Sequence, residues 1–278
     1  MKYAIISLDF RRFPLETCFR TAAHNGFDGV EIWAGRPHAF PDDLDADAIE
    51  RIRGYKRDYH LETPVFTPHV LGGNYRLTSL DTRERQEAIA LFRRHIDAAA
   101  ALGCHSLLTV ADHPGYNADA MQVWHAFTDA IHTLCEYGKE RDVRVMIEPL
   151  TPMESPVVTT SDDCVRLIRD VKSDNLYAMM DLTPVTVAHE PIGSYFEKLG
   201  DRLIHIHICN TDGCTDAHWR LENGILPMDN VFTVFRQHGY DGWVCAELYS
   251  EQYSDPELMT ANTARVLSEL RAEKAQPF

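Results

Sequence analysis

Four short apolar runs in this sequence each carry a residue that a buried strand normally avoids. "VMIEPL" places Glu148, "AMMDLT" places Asp181, "HIHICN" places His207 and "VCAELY" places Glu247. A carboxylate buried without a partner is strongly disfavoured. Three carboxylates and an imidazole meeting at one point would repel each other unless a cation sits among them. Carboxylate oxygens with one histidine nitrogen suit a divalent ion, and the donor set leaves Mn²⁺, Mg²⁺, Co²⁺, Zn²⁺ and Ni²⁺ open. Pairing with Arg or Lys is the alternative, but few of the 27 basic residues fall near these run ends.

The stretch "LIHIHICNTDG" adds an orientation. Side chains alternate along a strand, so Ile204, Ile206 and Ile208 share one face and His205 and His207 the other. The isoleucines suit packing against helices, which turns both imidazoles inward. His207 then lies nearer the end that carries the acids. His205 lies one layer below, where a histidine supports a metal site more often than it ligates. Further polar residues follow the same runs: Glu154 after Glu148, His38 in "RPHAF", His69 in "TPHVLGGNY", His113 in "DHPGY" and His218 in "TDGCTDAHWR". Together they suggest contacts to a hydroxyl-rich ligand, with Trp33, Trp219 and Tyr249 as apolar walls.

The elements that must position these residues follow from periodicity. Eight candidate strands, "YAIISL", "GVEIWA", "TPVFTP", "SLLTVA", "RVMIEPL", "LYAMMDL", "LIHIHIC" and "WVCAELY", alternate with segments of helical period. Ser161-Asp162-Asp163 reads as one helix start, and Gly26, Gly103 and Gly239 as three helix ends. Eight βα units at about 35 residues each predict a (β/α)8 TIM barrel over residues 1–278 as one domain. An open doubly wound sheet would show a glycine-rich phosphate turn after an early strand, and "SLDFRRF" has none. Barrel active sites form at the C-terminal ends of the strands, where the four residues above fall.

The formal net charge of −15 argues against nucleic acid and anionic membrane surfaces as partners. The seven cysteines are scattered with no CxxC pair, and no apolar run reaches the about 20 residues of a membrane span. With no signal peptide at the N-terminus, the expectation is a cytoplasmic protein with free thiols. Barrels of this kind often form dimers or tetramers, which makes a homo-oligomer a candidate assembly, although no stretch reads as a decisive interface.

The stretches "GFDGVEIWAGRPHAFPDDL", "HPGY", "IEPLTPMESPVV", "PIGSYFEKLGDRLIHIHI" and "DGCTDAH" resemble the sugar-phosphate isomerase/epimerase superfamily with the xylose-isomerase-like barrel, and within it the fructoselysine 3-epimerases. The resemblance runs from "GFDGVEIW" to "AELYSE". It implies that Glu148, Asp181, His207 and Glu247 are metal ligands, that Glu148 and Glu247 are also the paired acid/base residues, and that Glu154 and His218 hold substrate hydroxyls. Relatives tend to carry a "PGEG"-like turn after the equivalent of His218. Here the stretch is "HWRLENGILP", with Gly224 alone remaining.

The expected activity is inversion at C3 of a ketose through a cis-enediolate, on a sugar or sugar-amine such as fructoselysine or psicoselysine. An aldose–ketose isomerase, another ketose 3-epimerase and a polyol dehydratase use the same metal-assisted proton abstraction and remain alternatives. A metal-dependent endonuclease needs a basic groove, which the charge disfavours. A pure sugar-binding protein would not need two metal-bound acids.

Overall fold

The computed structural model describes residues 1–71, 75–250 and 255–272. Eight strands close into a parallel barrel in chain order, with the last pairing to the first. They are β1 (Lys2–Ile6), β2 (Gly29–Trp33), β3 (Phe66–Thr67), β4 (Ser106–Val110), β5 (Arg144–Glu148), β6 (Leu176–Asp181), β7 (Leu203–Ile208) and β8 (Trp243–Ala246). The helices are α1 (Leu15–His24), α2 (Ala46–Tyr59), α3 (Thr82–Leu102), α4 (Ala120–Lys139), α5 (Ser161–Val171), α6 (Leu182–Val187), α7 (Ile192–Leu199), α8 (Met228–Gln237) and α9 (Pro256–Ala272). This is the (β/α)8 architecture that the alternation predicts. None of these helices is long and apolar enough to cross a membrane.

Local chemistry explains the element ends. Asp81 opens α3 by accepting from the backbone N–H groups of Arg83 and Glu84, and Gly103 closes it at φ 70°. Gly26 and Gly239 also take positive φ just past α1 and α8, as expected. α5 starts at Ser161, as the sequence indicates. Thr160 is the cap, in a reciprocal box with Asp163, while the Ser161 hydroxyl bonds Glu190.

Two elements depart from the sequence reading. β3 is only two residues long, because Pro64 and Pro68 flank it and neither has an N–H for the ladder. α6, "LTPVTV", has no counterpart among the helical segments read from the sequence, and it is rich in β-branched residues. It forms because the Asp181 side chain accepts from Thr183 N–H at 2.7 Å, and Pro184 falls in the first turn, where no N–H is needed.

The apolar core is unevenly divided. A large cluster that includes Phe19, Phe92, Phe127, Phe235, Ile206 and Ile208 fills the layer between strands and helices. A separate small cluster contains only Ala4, Ile6, Trp33 and Cys245 as buried members. Glu31, His205 and His207, from the strands around it, are also buried, at 0%, 1% and 1% exposure. The alternation on β7 therefore falls as expected, with Ile206 and Ile208 in the outer cluster and the histidines on the other face.

Just past β4, Asp112 is 4% exposed and its Oδ2 has no hydrogen-bond partner. Burial raises its carboxyl from 3.8 to about 7, opposed by Arg76. The raised native value means that the folded protein holds this proton where the unfolded chain releases it. Stability is then lost as pH rises from 3.8 through about 7. Asp112→Asn is expected to leave stability near its starting value at pH 4 and to raise it by about 1–3 kcal/mol at pH 8. Urea denaturation at the two pH values checks this, and an equal effect at both would contradict it.

Candidate active site

At the C-terminal end of the barrel, Glu148, Asp181, His207 and Glu247 come together, and one ligand atom from each lies within 4.8 Å of all the others. β5 supplies Glu148, β6 supplies Asp181, and β7 supplies His207. Glu247 follows directly on β8, its backbone N–H bonded to Ile208 O at 3.2 Å. Asp181 and His207 are register partners on adjacent strands. His207 Nδ1 sits 2.8 Å from Glu247 Oε2, 3.3 Å from Glu148 Oε1 and 3.9 Å from Asp181 Oδ2. That nitrogen is buried and makes no hydrogen bond of acceptable geometry, the condition of a ligand nitrogen aimed at a shared point.

The electrostatics of this end call for positive charge. Burial raises Glu148, with Glu247 and Asp181 adding to it against His207, to about 8. Burial would lower both histidines, yet Glu31 and Glu247 hold His207 well above its usual value. Asp181 and Glu247 likewise hold His218 up, at about 10. The ion pairs that these acids make among the described residues are to histidines. A divalent cation at the common point would allow all three carboxylates to stay ionised together. The residues present therefore fit such an ion.

Each acid is oriented by its own neighbourhood. Asp181 gives Oδ1 to the N-terminus of α6 and Oδ2 to His218 Nε2 at 3.0 Å. Glu154 folds back on its own turn, accepting from the Thr151 N–H and hydroxyl at 2.9 Å each. Burial and the neighbouring Asp216 raise Glu154 to about 7. Asp216 accepts from the Tyr249 hydroxyl at 2.5 Å, and the His218 ring packs 4.6 Å from that of Tyr249.

The loop that delivers His218 is held by Asn210. This residue bridges antiparallel to Trp219, donates to Leu221 O and Leu226 O, and accepts from the Leu226 N–H. Gly224 lies against the same amide, where an added Cβ would stand 2.2 Å from Asn210 Oδ1. The glycine that survives in "HWRLENGILP" is thus the one the loop needs for close packing.

A cavity of about 480 Å³ opens over these residues. Glu148, Asp181, Glu247, Glu154, Asp216 and His218 give it its polar wall. Leu8, Trp33, Leu150, Pro184 and Tyr249 give it an apolar one, and Arg11 and His69 also reach it. Not every expected residue does. His38 sits behind Trp33, with its Nε2 bonded to Phe13 O at 2.9 Å and its Nδ1 3.3 Å from Ser7 Oγ. His113 accepts from the Gly115 N–H and packs on Tyr116. Trp219 serves the Asn210 bridge. None of these three is among the described residues that line the cavity.

Sequence reasoning missed Glu31 and Asp216. Glu31 stands inside "GVEIWA" and is fully buried beneath His207. An acid in mid-strand on the inward face was the available signal. Asp216 shares "TDAH" with His218, and nothing local marks it as facing the cavity.

The profile of the xylose isomerase-like TIM barrel family matches residues 19–270. The chain belongs to that family. It is 34% identical over 258 residues to the fructoselysine 3-epimerases of Shigella flexneri and Escherichia coli O157:H7, covering 93% of this chain and 94% of each relative. A crystal structure of D-psicose 3-epimerase from Clostridium cellulolyticum H10 with D-tagatose superposes with a TM-score of 0.82 at 17% identity, over 98% of this chain and 99% of that one. By this kinship the protein is an enzyme of the isomerase class, of the epimerase type.

Filling the gap at Gly224 tests the loop. Gly224→Ala is expected to lower stability by about 1–3 kcal/mol, the usual effect of overpacking. It should also speed limited proteolysis between residues 209 and 227. Unchanged stability and unchanged cleavage would show that the loop does not depend on this contact.

Proposed function

We propose that the protein is a divalent-metal-dependent ketose 3-epimerase. It inverts the carbon next to the carbonyl through a cis-enediolate, and its substrate is a ketosamine such as fructoselysine or psicoselysine. The observation that carries this reading is the pairing of Glu148 and Glu247 on either side of the barrel end, both within reach of His207 Nδ1. Glu148, Asp181, His207 and Glu247 would hold the ion. A divalent ion there would polarise the carbonyl and stabilise negative charge on the enediolate oxygens.

The remaining chemistry belongs to this chain. One glutamate removes the C3 proton from one face, and the other returns a proton to the opposite face. The burial that raises Glu148 makes it a better base once its proton has left. Trp33 and Tyr249 wall the cavity and limit water at the carbanion. Glu154 and His218 line the same cavity, where they can hold substrate hydroxyls. Glu154 and Asp216 also give the cavity acidic groups close to one another. That suits a substrate carrying a secondary ammonium beside its sugar, and the identity to fructoselysine 3-epimerases supports the same substrate class.

Chelation should abolish turnover and lower the melting temperature, and Mn²⁺ or Co²⁺ should restore both. Full activity in protein shown by elemental analysis to be metal-free would overturn the metal-dependent reading. The paired acids are tested by NMR of the sugar in D₂O. Glu148→Gln and Glu247→Gln should each lose epimerisation. With metal retained, one variant should exchange deuterium into one epimer only and the other variant into the opposite epimer. Equal residual exchange from both epimers in both variants would remove the two-base assignment.

A further inference from the structure

Glu31 lies directly below the metal-ligating group and has a role that the proposed reaction does not yet use. It is fully buried, and its hydrogen-bond partners among the described residues are Thr67, His205 and His207 rather than Lys or Arg. His205 Nε2 is 2.7 Å from its Oε2, His207 Nε2 is 3.1 Å from both oxygens, and the Thr67 hydroxyl donates to Oε1 at 2.5 Å. Three hydrogen-bond donors thus meet on one carboxylate inside the barrel.

This arrangement decides where the His207 proton sits. A neutral imidazole has one N–H and one lone pair. His207 Nδ1 faces Glu247, Glu148 and Asp181, and can join them around a cation only through its lone pair. Its proton must then sit on Nε2, where Glu31 receives it. His205 is arranged in the same sense, with Nε2 on Glu31 and Nδ1 buried without a partner. A lone pair at that Nδ1 is far easier to bury than an undelivered N–H. We propose that Glu31 is a positioning residue: it fixes the tautomer and ring orientation of His207, with His205 as its second donor, and thereby sets the affinity of the site for its ion.

The same residues raise a competing possibility. Glu31, His205, His207 and Cys245 also bring one ligand atom each within 4.8 Å of the others, as a second ion would require. The contacts of Glu31 with the two histidine Nε2 atoms have hydrogen-bond geometry, which the contacts of His207 Nδ1 with its carboxylates lack, so protons are assigned to the space around Glu31.

The proposal rests on the metal-dependent reading above, and its test separates the two by measuring binding rather than turnover. Metal-free wild type, Glu31→Gln and Glu31→Asp are titrated with Zn²⁺ by calorimetry. An amide in place of the carboxylate brings its own N–H₂ against the incoming N–H donors. Glu31→Gln should therefore weaken Zn²⁺ by about 10- to 100-fold. Glu31→Asp keeps two acceptor oxygens and should weaken it less. Zn²⁺-loaded wild type labelled with ¹⁵N-histidine gives the direct reading and does not depend on a variant folding. Long-range ¹H–¹⁵N spectra should show His207 protonated on Nε2 and metal-bound on Nδ1, and His205 protonated on Nε2. Zn²⁺ on Nε2 of either histidine, a His207 Nδ1–H, or equal affinities of Glu31→Gln and wild type would each overturn the positioning role while leaving the metal site standing. Failure of the wild type to bind any divalent ion would overturn the metal-dependent reading itself, and the positioning role with it.

Discussion

Three carboxylates packed against one imidazole in a buried place form the constraint on which the rest of this structure depends. Like charges so close raise each other's proton affinity and oppose folding unless positive charge is supplied. The barrel surrounds them with His207 and His218 and no lysine ion pair among the described residues. The architecture thus gathers these carboxylates at one point beside a cavity of about 480 Å³.

The site is also braced from below and from the side, which keeps the carboxylate and imidazole atoms close to a common point. Below, Glu31 ties β2 to β7 through both histidines and to β3 through Thr67. At the side, Asp181 is fixed twice, by the first turn of α6 and by His218. His218 depends in turn on a loop folded around Asn210. A disturbance far along the loop, at Gly224, is thereby connected to the orientation of the Asp181 carboxylate.

The inner filling of the barrel shows how the fold makes room for this. Barrels of this type usually fill their interior with layers of branched apolar side chains. Here Leu108, Val110, Met146 and Met179 share the inward face with Glu148 and Asp181, and Ala4, Ile6, Trp33 and Cys245 form a separate small cluster. A buried carboxylate with three donors takes part of that volume. The large apolar layer under the helices supplies the stability that this polar interior does not.

The sequence by itself determined the eightfold βα alternation, the inward face of His205 and His207, and the placement of Glu148, Asp181 and Glu247 at strand ends. These follow from local periodicity, because alternation along a strand fixes which side chains face the barrel axis once the strand is recognised. It did not determine which of the loop residues meet. His69 and His218 reach the cavity, whereas His38 turns to Phe13 O and His113 turns to Gly115 N–H. Each is a histidine one loop beyond a strand, and the sequence offers no period to tell them apart. Nor did it reveal that the acid in "GVEIWA" would lie within hydrogen-bond distance of two histidines 174 and 176 positions away. Only closure of the barrel brings β2, β3 and β7 around one interior point, so the partners of Glu31 are a property of the tertiary structure.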